Sequence, residues 1–553
     1  MPKPPRKRKA RAPARPAPSA VIPLSHWRAA LARARTSRRA SALLELPDAE
    51  RVVPGLPVQD LYYAIKEIGL DDAHELLALT SPIQVRGFLD LDLWDRDHIQ
   101  APRLTEWWDA LLELELPLMV AAVRALDVEL PSLWLARQAR VYDLSLGEAP
   151  PEDTQSPLLA TPDHFFLVEI TAAGEAARTC ERLLDALYRG DPDLARRVVQ
   201  GAHWELPSEL EEASYRWRSG RMADLGFVDY YDALEIYRPL DPHSVAIGEN
   251  SAQEVEARSP VDAPGSQSLP APYAEPLGAD SFFHRAMARL DDPAQLVRVQ
   301  HALVALANRV MAADGVDPAQ LDAVRAALER ALGTLSIGLE YVAGGDLGRA
   351  VDGLRTVALV RLFRVGASLL GQLRKLAETL SRSGRGRLEP PWDAFLVALR
   401  GRLPRLHAPG FREPRWFQSV ADIRLAAGLL EQVRWQSTLV LDRLGFAHPQ
   451  ASLGDLVRTA AANLALGRPF APTPLTRADL QALRDSAFGP GGGLAQALRA
   501  RVLAAIGERA PDAPPYLDAL VDGWLARLSD ELGHVTGTPD ARFVAGLLIE
   551  SRN

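Results

Sequence analysis

Between His203 and Glu235 the chain gathers most of the side-chain types that bind or react. His203, Trp204 and Glu205 stand together, and Tyr215, Arg216, Trp217, Arg218, Arg221 and Asp224 follow shortly after. On a helix, Glu212 and Arg216 are one turn apart and can pair. Arg218 and Arg221 share a face without a local acid, so they need carboxylates from elsewhere in the chain, which would hold helices in register. The other reading is a polar groove for a partner or an anion, floored by Trp204, Trp217 and Phe227. These nine residues, His203, Trp204, Glu205, Tyr215, Arg216, Trp217, Arg218, Arg221 and Asp224, are the candidate ligand or partner site. A purely structural use competes with it, because ordinary ion-pair networks draw on the same residues.

A second cluster holds Asp90, Asp92, Asp95 and Asp97, oxygen donors at close spacing that could suit a divalent ion. No glycine stands at the centre of a loop there and no glutamate closes it, so it is not an EF-hand. If the stretch is one helix, Asp90 and Asp97 share a face with Trp94 between them, which supplies no ligand and holds them apart. A water-facing acidic surface is the simpler expectation. After Asn308, the run Asp314-Gly315-Val316-Asp317-Pro318 also resembles an ion-binding turn. Capping accounts for it: Gly315 takes a positive φ and stops a helix, and Asp317 caps the next with Pro318 at its first position.

The remaining chemistry is sparse. The eleven histidines show no His-Glu-x-x-His spacing. Cys180 is the only cysteine, which rules out an internal disulfide or a thiolate cluster and fits a reducing compartment. On a helical pattern it reads as a packing residue. Gly489-Pro490-Gly491-Gly492-Gly493 lacks the lysine and hydroxyl of a phosphate loop. No Gly-x-Ser-x-Gly elbow and no dinucleotide fingerprint is present. The expectation is therefore no catalytic residue, no metal ligand and no cofactor-binding residue; an enzyme would assemble its site from distant positions.

The elements that must carry these residues read as helices. Leu61, Ile65 and Ile68 form one apolar stripe that Gly69 ends, and Asp71 or Asp72 can cap the helix that buries Leu76, Leu77 and Leu79. Ser81 and Pro82 restart the chain as N-cap and first helical residue, and Val85, Phe88 and Leu89 continue the stripe. Helices this short are marginal alone and must be covered by neighbours, which is the logic of a stacked array. Residues 138–172 break the pattern. Arg140–Leu144 and Phe165–Ile170 suit the two arms of a small hairpin, though Phe165 could equally begin a helix. Arg258-Ser259-Pro260 through Leu269-Pro270-Ala271-Pro272 reads as a linker. Longer helices follow over 298–311, 321–341 and 354–380, then near 417–446, 449–465, 476–487, 493–508, 514–533 and 540–550.

Bulk properties narrow the class. Hydrophobic residues make up 47% of 553, enough for large cores. The net charge of −8 argues against a surface built throughout for nucleic acid. Only residues 1–20 are strongly basic, with Lys3, Arg6, Lys7, Arg8, Lys9, Arg11 and Arg15 among prolines, which predicts a disordered arm. No secretion signal follows it. No apolar run reaches the roughly 18–20 residues that span a bilayer; the longest, Leu111–Leu126, is broken by Glu113, Glu115, Pro117 and Arg124.

Two resemblances rest on particular stretches. Leu56-Pro57, Gly69-Leu70-Asp71-Asp72-Ala73 and Phe88-Leu89-Asp90 resemble the cytosolic superhelical N domain of bacterial magnesium transporters, which implies helical stacking over about residues 56–90. The transporter's pore domain is absent, so transport is not implied. From about residue 40 onward the chain resembles an uncharacterised bacterial family, a domain of unknown function. Phe88-Leu89-Asp90-Leu91-Asp92-Leu93-Trp94, Tyr215 through Phe227 and Ile337-Gly338-Leu339-Glu340-Tyr341 carry the likeness. It implies no catalytic residues.

The expected architecture is predominantly all-α. It comprises the arm at 1–20, a superhelix-like stack of short helices over 21–245 with the hairpin near 138–172, a linker over 246–277 and a larger helical domain over 278–553. The expected role is a non-catalytic cytoplasmic scaffold or protein-interaction module. The alternatives are an enzyme or small-ligand binder using 203–235, and a nucleic-acid-associated factor using the arm.

Overall fold

The helix start at Ser81 lies where the chain writes it. Ser81 and Gln84 close a reciprocal capping box in which Ser81 Oγ accepts from Gln84 N and Gln84 Oε1 accepts from Ser81 N. Pro82 stands at the first helical position. Gly69, at φ 90°, ends the preceding helix. The same local signals recur at Ser452 and Thr476, where capping boxes with Asp455 and Asp479 open two later helices.

The computed structural model describes residues 39–45, 48–225, 227–248, 280–382, 387–488, 496–533, 539 and 544–550. The basic arm, nearly all of the 246–277 stretch and the Gly489–Gly493 loop lie outside them. Within the described residues the chain is predominantly helical, with two small sheets. No helix among them is long and apolar enough to cross a membrane. They fall into two compact units, one of 39–230 and 297–325, the other of 231–248, 280–296 and 326–550.

The first unit begins with short helices: α1 (Arg39–Leu44), α2 (Ala49–Val52), α3 (Val58–Ile68), α4 (His74–Ala78) and α5 (Pro82–Asp92). A two-residue hairpin follows, β1 (Trp94–Asp95) and β2 (His98–Ile99), then α6 (Ala101–Leu112), α7 (Leu116–Ala125) and α8 (Glu129–Gln138). Strands β3 (Ala139–Asp143), β4 (Leu158–Ala160) and β5 (Phe166–Ile170) come next, then α9 (Glu175–Gly190), α10 (Pro192–Trp204) and α11 (Pro207–Asp224). Helix α8 is the centre of the stack. It buries Leu130, Leu133, Trp134 and Leu135, and α10 and α11 both pack on it.

The hairpin reading of 138–172 holds, with an extra strand. β5 is the middle strand, antiparallel to both neighbours, with Val141 opposite Val168 on one side and Leu159 opposite Val168 on the other. Phe166, Val168 and Ile170 alternate inward and are buried, so Phe165 does not begin a helix.

In the second unit, the part of the helix Leu321–Ala343 that follows Arg325 crosses Leu359–Arg382 with their backbones in contact. A Cβ on Gly338 would overlap the Leu362 carbonyl, and one on Gly366 the Thr334 carbonyl. Glycine on both helices is what lets them approach. The helix expected over 354–380 is two elements, Leu347–Thr356 and Leu359–Arg382, with Val357 extended between them. The helices Val420–Ser437, Leu453–Ala465, Arg477–Ala487, Gln496–Arg509 and Leu517–Leu532 follow the expected series.

Four local readings are corrected. Ala73, not Asp71 or Asp72, is the N-cap of α4, because a turn from Leu70 O to Ala73 N delays the helix past their reach. The helix after Gly315 starts at Leu321 rather than Pro318. Asp317 instead accepts from Ala319 N and pairs with Arg103 at 2.6 Å. The stretch 90–97 is not one helix, since α5 ends at Asp92 and the β1–β2 turn places Arg96 at φ 57°. Residues 544–550 are not helical: Ile549 pairs with Leu475 in an isolated bridge.

Candidate functional site

Asp90 and Asp92 sit on the last turn of α5 and are 6% and 3% exposed, so each carboxylate needs partners. Asp92 has three. Tyr62 Oη donates at 2.9 Å, Lys66 Nζ at 3.0 Å and Trp107 Nε1 at 2.7 Å. Burial and then the Asp92 charge hold the Tyr62 hydroxyl well above its ordinary pKa. Arg103 donates to the Asp92 carbonyl at 2.8 Å. This knot binds α3, α5 and α6 to one another.

Asp90 faces the other way, onto α11. Arg221 grips it with two parallel bonds, Nε to Oδ2 at 2.7 Å and Nη2 to Oδ1 at 2.9 Å, and reaches Asp127 Oδ2 with Nη1 at 2.7 Å. Burial pulls the Arg221 guanidinium down, but the bonds and charge of Asp90 and then Asp127 outweigh it and hold it above its ordinary value. Arg218, one turn earlier, donates from Nε to the Asp90 carbonyl at 2.8 Å and lies over the Trp94 ring, 5.3 Å from its centroid. Burial pushes its pKa down to about 10, so it stays protonated at neutral pH. Tyr215 completes the contact, its ring 5.7 Å from that of Trp94. Glu211 on α11 accepts from Ile99 N at 2.9 Å and from Arg137 at 2.6 Å. The Phe88–Trp94 and Tyr215–Phe227 stretches are thus two sides of one interface inside the first unit.

His203 and Trp204 lie at the opposite end of this group, where α10 meets the three-stranded sheet. His203 Nδ1 donates to Val141 O at 2.9 Å, and Nε2 stands 3.4 Å from Glu148 Oε2. The His203 ring meets Trp204 edge-on at 4.6 Å and Phe166 at 6.4 Å. Trp204 is 60% exposed. Leu206 beside it is also exposed, as are Leu146 after β3 and Phe165 just before β5. Phe165 lies under Arg196 of α10, which also pairs with Asp163.

The nine candidate residues therefore do not converge. Tyr215, Arg218 and Arg221 meet Asp90 and Trp94. His203 and Trp204 meet the sheet. Arg216 faces solvent in a 3.1 Å pair with Glu212, and Glu205, Trp217 and Asp224 are exposed. A cleft of about 410 Å³ in the same unit is lined by residues including Glu50, His74, Glu113 and Glu115, and none of the nine lines it. Among the described residues no group of three or more His, Cys, Asp or Glu side chains could hold a metal ion. Cys180 is buried on α9, and burial raises its thiol pKa to about 12.

The expectation of distant carboxylates holds for Arg221, on Asp90 and Asp127, while Arg218 goes to the backbone carbonyl of Asp90 and the Trp94 ring instead. The clue was available: Asp90 and Asp92 stand between the buried Phe88 and Trp94, where an unpaired carboxylate would not survive.

The model of the Family of unknown function (DUF6178) matches residues 17–550, and the chain belongs to that family. No curated protein and no solved structure matches it. The likeness of residues 56–90 to the magnesium-transporter N domain rests on the sequence pattern alone.

Proposed function

We propose that the chain is a non-catalytic, cytoplasmic protein-interaction module whose partner is another protein bound around Trp204 of the first unit. The observation that carries this reading is the setting of Trp204. It is large, 60% exposed and braced edge-on by an imidazole that is itself tied to Val141 O. A rigid outward aromatic loses little entropy on binding and is the kind of residue that dominates interface energy. Leu206, Leu146 and Phe165 add exposed apolar surface on neighbouring elements. The charged residues that a reaction centre would draw on are, in contrast, engaged with one another: Arg221 with Asp90 and Asp127, Glu211 with Arg137. The single cysteine fits a reducing compartment.

A photo-crosslinking amino acid at position 204, in the full chain expressed in its native cell, tests the reading. The expected result is a discrete adduct that Leu206→Asp abolishes without changing the melting temperature. A probe at 204 that captures nothing, beside one at Ile83 (also exposed) that does, would move the partner surface elsewhere.

A further inference from the structure

Within the second unit, residues 544–550 turn at 545–547 and then make a single bridge at Ile549, held by their main chain. Gly546 N donates to Glu531 Oε2 at 3.0 Å, and Arg458 Nε donates to Gly546 O at 2.9 Å. Leu548 N donates to Thr459 Oγ1 at 2.9 Å. Leu475 N donates to Leu548 O at 2.8 Å, and Glu550 N donates to Leu475 O at 2.9 Å. The Leu475 bonds make one isolated parallel bridge to Ile549, the smallest unit of strand pairing, and the side-chain bonds read the same main chain from another direction. Val544 and Leu547 enter the core of this unit.

The groups that grip the segment are fixed by one another. The Arg458 side chain is fully buried, and it gives Nη1 and Nη2 to the two oxygens of Glu389 at 2.8 and 2.7 Å and Nη2 to Asp455 at 2.6 Å. Arg527 joins Glu389 at 3.0 Å to Glu531 at 3.0 Å. This ion cluster is assembled on Leu453–Ala465, Leu517–Leu532 and the turn at Glu389, none of which belongs to 544–550. It presents a donor, an acceptor and a hydroxyl in fixed positions, so little ordering is left to be done on binding. What it selects is main-chain geometry and one small residue. A Cβ on Gly546 would stand 3.0 Å from both Arg458 Nε and Glu531 Oε2.

We propose that this is an exchangeable peptide-docking site. It takes a segment that turns at a glycine flanked by apolar residues, and Val544–Glu550 fills it in cis. A partner protein carrying the same pattern displaces that segment. The site is separate from the Trp204 surface, and neither depends on the other.

The test uses the full chain with Gly546→Val, which drives the cis segment off the Arg458–Glu531 pair, and a fluorescent peptide of sequence VAGLLIE. The variant is expected to bind the peptide. The wild-type chain should bind it about 100-fold more weakly, because a tethered segment competes at an effective concentration of about 1 mM. The peptide with valine in place of its glycine should bind neither. A folded Gly546→Val chain that ignores the peptide overturns the proposal. Hydrogen exchange on the wild-type chain decides independently, and decides alone if the variant does not fold. The amides of Gly546, Leu548 and Glu550 should exchange through an opening at least tenfold more frequent than that of Val457–Ala462 (order of magnitude, as for sub-global opening). Equal protection would make 544–550 an integral strand of the core and end the idea.

Discussion

Replacing Arg221 by methionine separates a structural clamp from a ligand-binding arginine. In the native chain its fork closes on Asp90, which is 6% exposed, and its remaining nitrogen reaches Asp127. Methionine keeps much of the side-chain length but leaves the Asp90 carboxylate buried without those two bonds. Breaking one side of a buried ion pair costs about 3–5 kcal/mol. The Arg218 guanidinium, on the Asp90 carbonyl, still offers some compensation, which favours the lower end, about 3 kcal/mol. For a unit of this size that is a fall in melting temperature of roughly 6–12 °C. Adding Asp90→Asn removes the stranded charge, so the double variant should be more stable than the sum of the two losses predicts, with a coupling on the order of 2 kcal/mol. Arg221→Lys should fall between, since an ammonium keeps the charge without the fork. The assay is calorimetry, with hydrogen exchange of α11 to identify which transition moves, because two units need not melt together. Crosslinking at position 204 should be unchanged. An Arg221→Met chain that melts with the wild type refutes the clamp and returns Arg221 to the list of residues free to hold a ligand.

Other consequences are local. Gly338→Ala forces a methyl into the Leu362 carbonyl and should cost at least about 3 kcal/mol or prevent folding of the second unit, since a helix backbone cannot step aside. Gly371→Ala, on the same helix pair but with open space at its Cβ, should stabilise by about 0.5–1 kcal/mol; denaturant melts of the two variants give the comparison. The Arg468 guanidinium, with help from Thr476 and against a smaller effect of burial, holds the Asp479 carboxyl down at about 2, below its ordinary 3.8. A depressed carboxylate stabilises the folded state above its unfolded pKa and loses that contribution as pH falls. The loss should therefore appear between pH about 4 and 2 and be smaller in Asp479→Asn, read from acid titrations of helicity. Cys180, buried and with its thiol pushed up to about 12, should resist iodoacetamide in the native chain and react once urea unfolds it; fast native labelling would contradict its burial.

What could be read from the chain alone was what is decided within a few residues. The Ser81 N-cap, the Gly69 and Gly315 stops and the two main arms of the small sheet depend on neighbours in sequence, and each is where its residues imply. Strand β4 was not legible, because three residues after a proline-rich loop carry too little alternation to be noticed. The β1–β2 turn was hidden for a different reason. Arg96 takes a positive φ with no glycine or proline to announce it, and so the acids at 90–97 looked like one helical face. The segment 544–550 has a helix-like apolar content, but its backbone is claimed by Leu475, Thr459, Arg458 and Glu531, and no local pattern reports that competition. The candidate site fared the same way: the types of its residues were legible, while the assignment of Arg221 to the interior depended on Asp90 and Asp127, 131 and 94 residues away.

That assignment bears on where function should be sought. Asp90, Arg218 and Arg221 stand out in the sequence for their charge, and in the fold that charge is spent on one contact inside the first unit. Their prominence is thus accounted for by the contact between α5 and α11 and carries no further information about a ligand. Trp204 has no such account. A tryptophan at 60% exposure gains little from burial in its own unit. If its size were only a matter of packing, Trp204→Ala would lower stability by about 3 kcal/mol or more, as loss of a core aromatic does. If the side chain instead exists to meet a partner, the same change leaves unfolding within about 0.5 kcal/mol of wild type, as for a surface substitution, and its cost falls on association. The two outcomes differ enough that a single melting curve separates them, before any partner is known.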